Sequence, residues 1–528
     1  MAIMNQSASS QSFRPPGTLP AAPLAPYAGP WDARLAAHLL RRAGFGGSPA
    51  ENARAAQSPM HAAVDGLFAA VATAGFPPNP DLLDGQEVMG MMRPRASAGE
   101  TATPPDALAQ ALTGAGPSAA MAGGASAPAQ QGPDAATADV VAMRKARNRL
   151  RHEQDRLNVT WWLDRMLTTS APLQEKLTLY LHGHFATSEN EKNVYGLDIV
   201  EQNQTMRRFA LGNWRDLTHA IARDRAMLKY LDNARNVKAH PNENFARELM
   251  ELFTLGIGNY TETDVRESAR AFTGYSFRRQ TGEFFFNDAK HDDGSKTFLG
   301  RTGNFTGDDV IDIIFAQPAA PKYFARRILE FFVYSDPEPQ LVEALAAVIR
   351  KNDFAMTPVF STLFRSNVFY SDRAYRALVK SPVEFVIGSY KLFGIAEVKP
   401  EVIPVLGRMG QVPFHPPNVK GWDGGAAWIN TQTILARENF ASGLMTDAMQ
   451  SKGFLGSGPP PGNARDATRY LTDTILQGDA SPTSLANLEA YLDGRGTSAN
   501  GMLSGENFEE RIRGAAYLTM AMPAYQLG

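Results

Sequence analysis

The chain has 528 residues, 44% of them hydrophobic, with 52 Lys and Arg against 54 Asp and Glu for a formal charge of −2. A sizeable core is easily built at this length, and the charge balance gives no global field favouring nucleic acid or an anionic membrane. There is no cysteine, which excludes disulfides, thiolate metal sites, iron–sulfur clusters and a cysteine nucleophile.

Residues 1–30 are rich in Ser, Pro and Ala and read as a disordered tail. They lack the basic start and apolar stretch of a secretory signal, and no run reaches the roughly 20 apolar residues of a membrane span. A cytoplasmic location is the expectation. Asp32 is a natural N-cap for a helix carrying Leu35, Leu39 and Leu40, which Gly44 and Gly46 can close. A second helix is expected from Ser48-Pro49 through Val64 and Leu67, so residues 31–76 form an N-terminal helical unit. Residues 77–139 turn to Ala, Pro, Gly and Ser and bury too little apolar surface to offset ordering entropy. They read as a disordered low-complexity insertion, with one short helix near Leu108 to Leu112.

Order returns at Val140. One long helix fits 140–169 with Trp161, Trp162, Leu163 and Met166, and another follows Pro172 with a wide apolar face. Arg144, Lys145, Arg147, Arg149 and Arg151 scatter around the long helix among acids, as a solvated face does. Helical periodicity then recurs at 197–211, 215–222, 225–231, 242–255, 262–273, 307–316, 320–333, 338–350, 355–365, 382–393, 398–409 and 430–447. Between them, Tyr275 to Phe286 reads as a β-hairpin turning at Thr281-Gly282. A main helical domain over 140–447 is followed by a Gly/Pro loop at 448–464. Helices at 465–477, 482–493 and 505–522, within residues 465–528, are expected to pack on that domain. The fold class is therefore mainly α, a large multi-helix domain with one short β-hairpin.

Four segments concentrate polar side chains. In the first, Asn242 caps a helix on which Phe245, Leu249, Leu252 and Gly256 share one face at the 3.6-residue period. Glu248 lies on the margin of that face, and Arg247 lies opposite, in register with Glu243 and Glu251. A carboxylate at a buried margin needs a partner or a proton. Glu248 can therefore be an ion pair to Arg270 or Arg266, a metal ligand or general base, or a solvated edge. The second segment, Tyr180 to Ser188, holds His182 and His184 too close in sequence to share a helix face. His184 sits at an element end, where a helix cap and a ligand are both open readings. The third, Lys290 to Lys296, sets His291 beside Asp292 and Asp293, either a turn or an oxygen-and-imidazole metal site. The fourth, Gly410 to Gly425, carries His415 and Trp422, with Trp428 close behind. It is either a packed loop or the aromatic wall of a binding site.

The successive strings His38–Gly46, His184-Phe185, His240–Gly256 with Tyr260, Ala269–Tyr275, His291–Gly300, Ser381–Gly388 and Gly410–Trp428 resemble the blocks of the domain of unknown function 1800 family. The resemblance covers about residues 31–447 apart from the insertion. The family brings no established reaction. It implies a partner, a sulfatase-like protein of the domain of unknown function 1501 family, and export as that partner's passenger.

Walker A, Rossmann, Gly-x-Ser-x-Gly and His-Glu-x-x-His signatures are all missing. Two functional expectations follow. In one, the chain is a metal-assisted hydrolase acting on a glycan: His184, His291 and Asp292 hold or flank a divalent metal with Glu248. Glu243 or Glu251 then serves as base, and His415, Trp422, Trp428 and Arg247 line the substrate side. In the other, it is a non-enzymatic assembly partner of the sulfatase-like protein.

Overall fold

A computed structural model describes residues 17–81, 135–189, 191–450, 462–493 and 508–528. The short helix expected near Leu108 to Leu112 lies outside them.

The first helix, Ala33–Arg42, starts where Asp32 accepts from the N–H groups of Arg34 and Leu35. It stops as Gly46, at φ +85°, donates its N–H to Leu40 O at 3.0 Å. The single helix expected from Ser48 is two, Pro49–Gln57 and Met60–Thr73. Pro59 has no N–H to give and pushes Ser58 out of helical geometry, to ψ 149°. The long helix runs Ala135–Thr168. Pro172–His184 follows and is buried around nearly its whole circumference, its neighbours including Met60–Thr73 and Leu197–Phe209.

The expected hairpin forms, Tyr275–Phe277 pairing antiparallel with Phe284–Phe286. A second, Lys296–Phe298 with Arg301–Gly303, was not anticipated. Its turn puts Leu299 at φ +44° and Gly300 at φ +78°. A leucine rarely occupies such a position, so the sequence lacks the Asn-Gly signature that would announce it. The cost is offset where Leu299 N–H donates to Asp264 Oδ1 at 2.8 Å.

A further departure lies in the segment expected to be one helix over 242–255. It is α-helical only over Asn244–Glu248 and then becomes a π-helix, Leu249–Thr254. The C-terminal helices close the structure: Phe508–Ala521 packs on Thr431–Gln450 and Ala464–Leu476. One hydrophobic cluster extends from Leu39 to Tyr525, so the first and last helices share a core.

Candidate functional site

The first helix ends with Arg41 and Arg42, where cations favour the negative end of the helix dipole. Arg376 and Lys380 come from the irregular segment that leads into helix Pro382–Phe393. The 410–428 loop lies over Pro172–His184. Gly421 makes this approach possible: at φ +84°, any Cβ there would come within 2.3 Å of Gly183 O. That contact seats Trp422 edge-on to His182, ring centroids 5.7 Å apart. Arg41, Arg376, Lys380, Glu384, Trp422 and Trp428 are among the residues around a cavity of about 950 Å³.

The charged side chains around this cavity are unevenly paired. Arg376 is saturated: Nε meets Asp479 Oδ2 at 2.7 Å, Nη2 meets Leu476 O at 2.7 Å, and Nη1 donates to Ala524 O. Arg41 is not. Its Nη1 donates to Gln477 Oε1 at 2.6 Å, while Nε and Nη2 are buried without a partner. Lys380 Nζ rests 3.8 Å from the Tyr525 ring centroid, and among the described residues no hydrogen bond or ion pair reaches it. Glu384 is committed, with one oxygen to Lys176 and the other accepting from Ser381 N–H at 2.7 Å. Burial and the Arg376 charge lower Arg41 to about 10. Burial together with Arg41, Arg376 and Arg437 holds Lys380 well below a lysine's ordinary value. A guanidinium with unmet buried donors is costly, and an anion that reached it would relieve that cost.

A second polar cluster adjoins His182. His415 Nε2 lies 2.7 Å from Asp155 Oδ1. Glu189, buried nearby, accepts from Gly196 N–H at 2.9 Å and from Asn158 Nδ2 at 3.3 Å. Burial and then Asp155 raise Glu189 to about 7. Burial opposes protonation of His415, but the Asp155 pairing outweighs it and raises the imidazole above its ordinary value.

The residues expected to hold a metal each have other partners. His184 Nε2 lies 2.9 Å from Phe253 O amid Tyr180, Phe185, Tyr323 and Phe324, and burial lowers it to about 3. His291 Nδ1 lies 2.9 Å from Thr273 O. Asp292 makes a two-pronged pair with Arg270, at 2.7 and 3.1 Å, which holds it near 2. Among the described residues no three His, Asp or Glu side chains converge as metal ligands.

Glu248 is half-buried and raised by burial and by Glu251. The ion pair expected with Arg270 or Arg266 is not formed, since Arg270 is taken by Asp292 and Glu267 and Arg266 donates to Thr263 Oγ1. Arg247 grips Glu262 at 2.8 and 2.9 Å and reaches Glu243 at 3.2 Å, while Glu251 accepts from Tyr260 Oη at 2.8 Å. Trp422 and Trp428 do share the cavity wall, whereas His415 belongs to the Asp155 cluster.

Sequence reasoning weighed carboxylates and imidazoles and passed over Arg41, Arg376 and Lys380. The signals were present, a basic pair just before Gly44 and Gly46 and a run of Arg373, Arg376 and Lys380, but cations are ordinary surface residues until burial is known.

Fold and cleft together define a mainly helical protein with a half-open cleft walled in part by cations. The sequence profile of the family described as "Protein of unknown function (DUF1800)" matches residues 38–527, and the chain belongs to that family. The match continues past residue 447, so the C-terminal helices that close the core are part of the family's extent. No curated protein and no solved structure matches the chain. No helix among the described residues is long and apolar enough to cross a membrane.

Proposed function

We propose that this protein binds a small anionic, carbohydrate-sized molecule in the cleft between Arg41, Lys380 and the two tryptophans. The observation that carries the reading is an unmet guanidinium: Arg41, in the cavity wall, has two nitrogens with no hydrogen-bond partner among the described residues. Guanidinium nitrogens in that state suit a carboxylate, phosphate or sulfate oxygen. Trp422 and Trp428 add flat apolar surface of the kind on which sugar rings stack. The engagement of His184 with Phe253 O, His291 with Thr273 O and Asp292 with Arg270 favours this reading over metal-assisted hydrolysis at those residues.

Titration calorimetry with glucuronate, glucose 6-phosphate and uncharged glucose is the test. The two anions should bind and glucose should not, and added sulfate should compete. Charge-assisted hydrogen bonds contribute about 1.5–3 kcal/mol each, so Arg41→Gln should weaken binding by roughly 10- to 100-fold. Equal binding of glucose and glucuronate, or no effect of Arg41→Gln in a folded protein, would sink the reading.

A further inference from the structure

We infer that Lys380 is a nucleophilic amine that forms an imine with the carbonyl carbon of a 2-oxo acid whose carboxylate is held by Arg41. The inference rests on the anionic-ligand reading of the cleft.

Three observations support it. Among the described residues, Lys380 Nζ is reached by neither a hydrogen bond nor an ion pair, and it rests on the face of Tyr525. The charges that act on it most are those of Arg41, Arg376 and Arg437, and the Glu384 carboxylate that opposes them is already engaged by Lys176 and Ser381. Arg41 brings unpartnered nitrogens to the same cavity, in the planar fork that matches a carboxylate. A lysine normally stays protonated at neutral pH and cannot attack. One that is desolvated and crowded by other cations loses its proton and keeps a free lone pair. Burial and three guanidinium groups push Lys380 toward the neutral amine. Its backbone is fixed as well: Lys380 N–H donates to Gln526 O at 2.9 Å, and Lys380 O accepts from Arg437 Nη2 at 2.7 Å.

In the step, the Nζ lone pair attacks the carbonyl carbon and the π pair moves to oxygen. Nitrogen gives up its two protons, oxygen takes up two and leaves as water, and amine plus carbonyl become imine plus water with no change of oxidation state. A 2-oxo acid suits this pair because its carbonyl adjoins the carboxylate. The remaining cavity, walled by Trp422 and Trp428, has room for a longer polyhydroxy chain.

The experiment uses the full chain with pyruvate and cyanoborohydride, followed by peptide mass mapping, with sulfate and pyruvate binding measured in parallel. Lys380 should gain one reduced pyruvate at least roughly tenfold faster than any other lysine, as an activated amine does. Sulfate should suppress the reaction. Lys380→Arg should abolish the adduct in a protein that still unfolds cooperatively in urea. Sulfate binding without modification of Lys380 overturns the imine and leaves the anion site standing. Absence of both sulfate and pyruvate binding overturns both.

Discussion

Glu175 sits in the first turn of helix Pro172–His184, where an acid is normally a surface complement to the helix dipole. Here it is completely buried. It accepts from Arg207 Nε and Nη2, each at 2.8 Å, from Trp162 Nε1 at 3.0 Å and from Arg165 Nε at 3.3 Å. Arg207 is equally buried, so neither charge has water to fall back on. Breaking such a pair costs more than the pair contributes, because the survivor stays charged in a dry interior. Arg207→Met should therefore lower stability by about 3–5 kcal/mol in urea unfolding. The double change Glu175→Leu with Arg207→Met should recover much of that loss. A single-variant loss below about 1 kcal/mol would mean that water reaches Glu175. None of this was legible in the sequence, since the partners arrive from the helices before and after. Arg41 and Lys380 were hidden for the same reason: a cation's role depends on which neighbours it lacks.

Elements were more legible, because their signals are local. Asp32 announces a helix start and acts as its cap, and the alternation around Thr281-Gly282 is a hairpin. Where the reading slipped, a tertiary contact had overruled the local period. The π-helix Leu249–Thr254 shows how. Gly256 N–H donates to Met250 O rather than to Leu252 O. The carbonyls of Leu252 and Phe253 are then met from outside the helix, by Tyr323 Oη and His184 Nε2. The wider turn moves every residue after Leu249 off the face that a 3.6-residue period assigns it. Glu251 accordingly pairs with Tyr260, a contact the regular wheel did not show. His184 thus works as a clamp on this segment. His184→Leu strands Phe253 O and should cost about 1–3 kcal/mol in unfolding free energy. Hydrogen exchange should quicken at the amides of residues 254–256 rather than uniformly. A uniform change would show that the histidine supports the core alone and not the π turn.

Across the whole molecule, buried titratable groups pull stability in opposite directions. His182 and His184 are lowered to about 3, chiefly by burial, and His38 lies well below its ordinary value for the same reason. A histidine depressed in the folded state contributes stability that is full above its unfolded value of about 6.5 and is lost as pH falls. Glu189 and Asp224 are raised to about 7, again chiefly by burial. A carboxylate raised in the folded state does the reverse: its contribution is full below about 4 and is lost as pH rises toward 7. Between those limits three histidines lose stability on acidification while two carboxylates gain it, so most of the slope cancels. Below about pH 4 the carboxylate gain is exhausted, while the histidine loss continues and Asp292 and Asp308, held near 2 by their cationic partners, add to it. Above about 6.5 the elevated imidazoles of His219 and His415 begin to lose their favourable protons. Urea midpoints measured from pH 3 to 9 should therefore show a shallow plateau over roughly 4–7 and a steep fall on the acid side, while above 7 the loss from the two imidazoles is opposed by the depressed Lys380. Glu189→Gln with Asp224→Asn removes the opposing carboxylates, and the acid limb should then begin near pH 6.5 instead of near 4. An unchanged acid limb in that double variant would show that the two carboxyl groups are ionised in the folded protein, and that the buried histidines are not balanced by them.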